Sequence, residues 1–413
     1  MKKTLGDLAV ETLAGAVVAL RADFNVPLDG GRVTDRTRIE RTVPTLDHLL
    51  AAGAKVVVLS HLGRPGGRAR ASLTLEPVAR ILDDLLAAPV GFLPYCFGPE
   101  VGDAVAAMTP GQVLLLENTR FLPRETANAP DLAADWAVWA DHFVMDAFGT
   151  AHRAHASTEG LPRAVRAKGG EAVAGRLVER ELAVLGGLLE APRKPFVAIL
   201  GGAKISGKID VIEAFLPRVD ALLVGGAMAN TFFMAMGMET GTSLVEPERT
   251  EVAFRLMETS ADRLVLPVDC VTARSIDARA LRQTVDRTDI ARGETIGDIG
   301  PVTVDLFASH LADAATVLWN GPMGVFEVEG FKEGTFGVAR AVAEVADRGA
   351  MVIVAGGDCA AAARSAGVAP RMSHISTGGG AALDLLAGNN LPGVDVLSDR
   401  LRADDTQDGE ALT

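Results

Sequence analysis

The sequence predicts an α/β protein built as two halves, each a parallel sheet flanked by helices. Three observations lead there. Short apolar runs recur along the chain, alanine- and leucine-rich stretches of helical length separate them, and the alternation is interrupted once, near the middle. Strands alternating with such helices imply βαβ units. A parallel strand is covered on both faces, so its residues need not alternate between apolar and polar. At 413 residues the chain exceeds one ordinary core, and two domains follow.

In the first half the predicted strands are Val17–Leu20, Val56–Leu59, Val113–Leu116 and Phe143–Met145. In the second half they are Phe196–Leu200, Ala221–Val224, Val317–Trp319 and Met351–Ala355. Helices are predicted over Thr42–Ala52, Leu75–Ala87 and Phe336–Arg348. From Gly175 to Glu190 apolar residues recur at helical spacing with charges opposite, and Ala191-Pro-Arg-Lys-Pro195 follows. This reads as a helix joining the halves, with the proline pair at the entrance to the second. The division is therefore 1–174 and 175–390. The closing stretch from Ser398 is polar and acidic and is expected to fray.

Composition excludes several functions. A net charge of −13 argues against nucleic acid or an anionic membrane as partner. Cys96, Cys270 and Cys359 are scattered, so neither a disulfide framework nor a zinc site is indicated, and a reducing cytoplasm fits. Residues Met1 to Val10 lack the apolar core of a signal peptide. From Ala221 to Met238 no residue is charged, but Gly225-Gly226 and Asn230-Thr231 break the stretch into strand, turn and helix start rather than a membrane span.

Ligands of open parallel sheets bind beyond the carboxyl ends of the strands, so the residues after each run carry the chemistry. After the first come Arg21, Asp23 and Asn25; after the second, His61 and Arg64; after the third, Glu117 and Arg120; after the fourth, Asp146, His152 and Arg153. Arg38 is near enough in sequence to join them. Converging guanidinium groups match a small phosphate-and-carboxylate ligand, because each grips an oxyanion through two N–H groups. The competing reading pairs Arg21 with Asp23 and Arg120 with Glu117. It is preferred for Arg21, deepest in its strand; Arg64, Arg120 and Arg153 read as ligand-binding, and His152 and His155 as structural.

The second half offers glycine turns. Gly201-Gly-Ala-Lys204-Ile-Ser-Gly-Lys208-Ile209 nearly makes a phosphate-binding P-loop, but Ile209 stands where Ser or Thr would hold magnesium. Lys204 and Lys208 are spaced to share one face of a following helix, either as a solvated pair or around an anion. With eight lysines in the chain and no other charge in the segment, the anion is favoured. Gly356 and Gly357 allow backbone N–H groups to approach a phosphate at a helix start. Asp358 reads as an N-cap or as the carboxylate facing a magnesium that bridges nucleotide phosphates. Glu327, after Trp319-Asn-Gly-Pro-Met-Gly324, could accept hydrogen bonds from ribose hydroxyls, and Gly378 and Gly379 mark another helix start. No G-x-G-x-x-G occurs, which disfavours a dinucleotide enzyme. A two-lobed solute-binding protein would have no use for Lys204, Lys208 and Asp358 together.

Taken in order, Arg21-Ala-Asp-Phe-Asn-Val-Pro27, Ser60-His-Leu-Gly-Arg-Pro65, Leu116-Glu-Asn-Thr-Arg-Phe121, Asp146-Ala-Phe-Gly-Thr-Ala-His-Arg-Ala-His-Ala-Ser-Thr158, Gly201-Gly-Ala-Lys204, Trp319-Asn-Gly-Pro-Met-Gly324, Gly356-Gly-Asp358 and Ser376-Thr-Gly-Gly-Gly380 resemble the phosphoglycerate kinase family. The resemblance spans roughly residues 1–397 and rests on the segments jointly. It implies two similar-sized lobes joined by a long helix and hinge, with 391–413 returning to the first. It implies a cytoplasmic monomer that transfers the acyl phosphate of 1,3-bisphosphoglycerate to ADP, reversibly and with Mg2+, giving 3-phosphoglycerate and ATP in glycolysis. By that resemblance Asp23, Asn25, Arg38, His61, Arg64, Arg120 and Arg153 bind the phosphoglycerate. Lys208, Glu327, Gly356, Gly357, Asp358 and Cys359 bind nucleotide, with Asp358 on the metal, while Arg38 and Lys204 stabilise the phosphoryl group in transfer. The chain departs from the family pattern at Cys359, where Ser or Thr is common, and at Asp384, where Glu is typical.

Overall fold

Each apolar run singled out in the sequence is a strand in the computed structural model, which describes residues 1–260 and 262–400. Two six-stranded sheets are formed, and every pairing within them is parallel. The described chain divides into two units, Met1–Ala183 with residues 390–400, and Val184–Asn389. The division falls inside the helix Arg176–Glu190.

In the first unit the strand order is Val90–Leu93, Val113–Leu116, Lys55–Leu59, Val17–Ala22, His142–Asp146, Ala172–Ala174. Sequence order reverses at Val17–Ala22, which pairs with Lys55–Leu59 on one side and His142–Asp146 on the other. Helix Thr37–Ala51 buries Ile39, Leu46 and Leu49 against Leu20, Val58 and Val144 of the sheet. That helix begins five residues before the predicted Thr42, and this places Arg38 in its first turn.

In the second unit the order is Leu264–Val265, Ala221–Val224, Phe196–Leu200, Thr316–Asn320, Met351–Ala355, His374–Ile375. The reversal here lies between Phe196–Leu200 and Thr316–Asn320. Helix Glu333–Asp347 buries Val338, Val342 and Ala343 in a core with Ile199, Trp319 and Val352. A separate three-stranded antiparallel sheet sets Asp269–Ala273 between Arg282–Asp286 and Thr295–Ile299. The apolar-run criterion missed it because Arg-Gln-Thr-Val-Asp is mostly exposed. It also missed the outer strands of both parallel sheets, which are only two to four residues long.

The expected fraying from Ser398 is corrected for the described residues. Ser398 accepts from Lys3 N at 2.7 Å and donates to Ala172 O at 2.7 Å, and Arg400 Nε donates to Asp7 Oδ2 at 2.8 Å. The rest of that stretch, 401–413, lies outside the described residues. No helix among the described residues is long and apolar enough to cross a membrane.

Candidate active site

At the carboxyl end of Val17–Ala22 the backbone turns at Asp23. Its Oδ1 accepts Asn25 N at 3.2 Å, and its Oδ2 accepts Arg38 Nη1 at 2.6 Å. Asn25 Oδ1 in turn accepts Gly63 N at 2.8 Å, which ties the His61–Arg64 loop to the end of the first strand. Arg120 Nη1 donates to Gly63 O at 3.0 Å. One loop is thus held from two sides, and Asp23, Asn25, Arg38, His61 and Arg120 are brought together.

The cluster is rich in cations. Burial, then Arg21, Arg120, Arg38 and His155, drive the His61 pKa well below its ordinary value, so this buried ring is neutral. Burial, then Arg21 and Arg153, lower the Arg120 pKa to about 10. His155, under burial and the same arginines, falls to about 4. Arg120 Nε is buried without a hydrogen-bond partner. A buried donor left unpaired is rare in folded proteins, and an oxyanion would satisfy it and relieve the repulsion around it. Arg64 and Arg153 are exposed; Arg153 Nε donates to His152 Nε2 at 3.1 Å.

One reading of this rim is corrected, and two other carboxylates there have partners of their own. Arg21 does not pair with Asp23: its fully buried guanidinium donates to Ser157 Oγ at 2.8 Å, to Ala22 O, and to His61 Nδ1 at 3.2 Å. Glu117 does not pair with Arg120 but accepts Leu75 N at 2.9 Å and Thr74 Oγ1 at 2.7 Å, at the start of helix Glu76–Leu85. Asp146 is no ligand group. It is fully buried, and its Oδ1 accepts Leu177 N at 2.9 Å in the first turn of Arg176–Glu190.

The second unit builds its site mostly from backbone. Gly201 N donates to Asn320 O at 2.9 Å and Gly202 N to Pro322 O at 3.0 Å. Gly226 N donates to Met323 O and Met228 N to Gly202 O, both at 3.0 Å. Three loops meet so closely that a Cβ on Gly226 would lie 2.5 Å from Gly202 N, and one on Gly321 2.5 Å from Gly201 O. Both residues have positive φ, +67° and +98°, which favours glycine independently. Into the strand-order reversal reaches Lys208, whose Nζ donates to Gly201 O at 2.5 Å and Asn320 O at 2.9 Å. Burial lowers its pKa to about 8, against the opposing pull of Cys359 and Asp358.

Lys204 and Lys208 do not share a helical face, because the helix begins only at Ile209. The glycine turn that precedes it separates an exposed Lys204 from the half-buried Lys208. At the next strand end Gly356, at φ +97°, is the N-cap of helix Gly357–Ser365; Asp358 is not the cap but an exposed first-turn residue. Cys359 turns inward, fully buried, with Sγ 3.4 Å from Trp319 O and its pKa raised by burial. Its thiol is thus withdrawn from any phosphate, and only its backbone N–H remains for one. Glu327 is exposed in the turn beyond Asn320, and Gly379 caps helix Gly380–Leu386. Nothing in the sequence marked Glu125, and Ser157 stood out only as part of the resembling segment that begins at Asp146; the fold buries both behind the arginines.

Comparison with known proteins agrees with this geometry. The family model described as Phosphoglycerate kinase matches residues 7–389. Phosphoglycerate kinase of Chloroflexus aggregans is 52% identical over 404 residues, covering 96% of this chain and 99% of that protein. That of Rubrobacter xylanophilus is 52% identical over 399 residues, covering 97% and 99%. The solved phosphoglycerate kinase of Coxiella burnetii superposes with a TM-score of 0.83 at 39% identity, covering 96% of this chain and 98% of that one. That of Pyrococcus horikoshii gives 0.81 at 30% identity, with the same coverage. Strand-end arginines in one unit, glycine loops in the other and these likenesses across nearly the whole length lead to one conclusion: the chain belongs to the phosphoglycerate kinase family.

Proposed function

We propose that this protein catalyses the reversible transfer of the acyl phosphate of 1,3-bisphosphoglycerate to ADP, yielding 3-phosphoglycerate and ATP, with the acid held by the first unit and the nucleotide by the second. The observation that carries this reading is the unpaired, buried Arg120 Nε among mutually repelling cations, an arrangement that an oxyanion ligand would satisfy. Asp23, Asn25, Arg38, His61, Arg64, Arg120 and Arg153 bind the phosphoglycerate. Lys208, Glu327 and the turn Gly356 to Cys359 bind the nucleotide, Cys359 through its backbone.

Among the described residues no three His, Cys, Asp or Glu side chains come together as a metal cage. A lone exposed carboxylate, Asp358, is the donor that suits Mg2+ carried mainly by nucleotide phosphates. When bound, the ion would offset phosphate charge. No general base is needed, because a phosphoglycerate carboxylate is already ionised at neutral pH. What remains for Arg38 and Lys204 is to cancel charge on the phosphoryl group in transfer. The two ligands must meet in line, so we infer closure of the units on binding. Small-angle scattering with both ligands should show compaction, and an unchanged radius of gyration would sink that step.

We also read the protein as a cytoplasmic monomer. The three buried free thiols are consistent with a reducing compartment, and sedimentation as a dimer would refute the oligomeric part. The deciding assay couples ATP and 3-phosphoglycerate to a detectable product with and without Mg2+. Magnesium-dependent turnover is expected, and binding of both ligands without turnover would overturn the reaction.

A further inference from the structure

Behind the acid site lies a buried chain of side chains that touches no ligand in the reading above. Glu125, fully buried on the short helix Pro123–Thr126, accepts Ser157 N at 2.9 Å through Oε2 and Ser157 Oγ at 2.6 Å through Oε1. Ser157 Oγ accepts Arg21 Nε at 2.8 Å, and Arg21 Nη2 lies 3.2 Å from His61 Nδ1. Every hydrogen in this chain has one place to go. A guanidinium has no acceptor, so the serine proton must point to Glu125 and His61 Nδ1 must accept. The imidazole proton is then on Nε2.

We propose that Glu125 and Ser157 are positioning residues that act through Arg21 to hold His61 as a neutral imidazole with Nε2–H as its donor. The proposal rests on the assignment of His61 to the phosphoglycerate site. Glu125 also supplies the negative charge that compensates the buried Arg21. His155 Nδ1, 4.0 Å from Glu125 Oε1, makes no hydrogen bond and does not compete for the carboxylate. The other charged groups around His61, namely Arg38, Arg120 and Arg21 itself, all oppose its protonation. A neutral ring adds a directional N–H where a further full charge would only add repulsion.

The first test needs no turnover. Nitrogen-15 spectra of the ligand-free protein should show His61 protonated at Nε2 and bare at Nδ1 from about pH 5 to 8. An Nδ1–H tautomer, or titration near the ordinary histidine value, would overturn the proposal. The second uses Ser157→Ala, with Glu125→Gln beside it. The value of kcat/KM for 3-phosphoglycerate should fall about tenfold or more, as for other supporting-shell losses. KM for ATP should stay unchanged, and the His61 spectrum should show mixed tautomers. Glu125→Gln strips the counter-charge from Arg21 and risks unfolding; Ser157→Ala retains it. Equal losses for both substrates, or no loss in a folded Ser157→Ala variant, would refute a positioning role. If the wild-type enzyme fails to turn over, the functional reading falls, while the spectrum still decides the tautomer.

Discussion

The two units present their strand ends in opposite ways. In the first, side chains make the site: Arg38, His61, Arg120 and Arg153 crowd together, and one carboxylate, Asp23, fixes Arg38. In the second, backbone makes it: Gly201, Gly226 and Gly321 pack so closely against neighbouring backbone that no Cβ fits, with a single half-buried lysine between two carbonyls. A small, highly charged acid offers little beyond its oxyanions, and bidentate guanidinium groups recognise those directly. A nucleotide carries its phosphates with a counter-ion, so N–H groups at helix starts suffice and dense positive charge is unnecessary. On the proposed reading, the carboxyl ends of the strands in the two sheets would thus serve two ligands through different chemistry.

If the division is right, the largest effects come from groups aimed at the transferred phosphoryl rather than at either ground-state ligand. Lys204→Ala and Arg38→Ala should each remove about 3 kcal/mol or more of transition-state stabilisation, by analogy with lost oxyanion donors. For Lys204→Ala the loss should appear in kcat, with ATP binding little changed. A pure loss of affinity measured by calorimetry would return Lys204 to the nucleotide site and break the contrast.

Next in size are changes that attack each site by its own construction. Lys208→Met leaves Gly201 O and Asn320 O without their shared donor. It should cost about 2–3 kcal/mol in stability of the second unit and weaken ATP binding. Gly226→Ala places a Cβ 2.5 Å from Gly202 N at φ +67°, so the loop must shift. A cost of about 1–3 kcal/mol is expected from such strain, with KM for ATP raised and KM for 3-phosphoglycerate untouched. Steady-state kinetics of both substrates with urea unfolding would check it; a matching rise in both KM values would show that the sites are not independently built.

Much of this was legible in the sequence, for a physical reason. A buried parallel strand has to be apolar, so eight of the twelve parallel strands among the described residues announced themselves, and the proposed site residues are drawn from the segments that follow them. Two-residue edge strands such as Leu264–Val265 and His374–Ile375 carry too few residues to signal anything. Partner choice was less readable than position. Arg21 sits two residues from Asp23 yet bonds Ser157, 136 residues away, because the strand ends at Ala22 and Asp23, beyond it, is taken by Arg38. Asp146 follows a strand as a ligand group would, but the joining helix takes it. Lys204 and Lys208 have helical spacing, but Gly207 and the turn around it delay the helix to Ile209.

The smallest expected effect separates the units once more, away from their ligands. Each buries a carboxylate against a glycine-lined niche: a Cβ on Gly175 would lie 2.3 Å from Asp146 Oδ1, and one on Gly324 2.2 Å from Asp298 Oδ1. Burial raises Asp146 from 3.8 to about 7 and Asp298 from 3.8 to about 8. Folded Asp146 therefore keeps its proton while the unfolded chain has lost it, so stability is fully present below about pH 4 and declines as pH rises to about 7. The partners differ, however. Asp298 accepts Ile299 N at 3.0 Å through Oδ1 and Gly334 N at 2.7 Å through Oδ2, whereas Asp146 Oδ2 has no partner. An asparagine amide can thus replace the idle oxygen of Asp146, but at 298 one of the two N–H donors would face an NH2 group. Asp146→Asn should flatten the pH dependence of the first unit and stabilise it by about 1–2 kcal/mol at pH 8, after relaxation trims the full linkage effect. Asp298→Asn should destabilise the second unit by a similar amount. Urea unfolding at pH 5 and pH 8, followed by a probe in each unit, reads both, and a gain from Asp298→Asn would show that its second hydrogen bond does not hold the Gly334 turn.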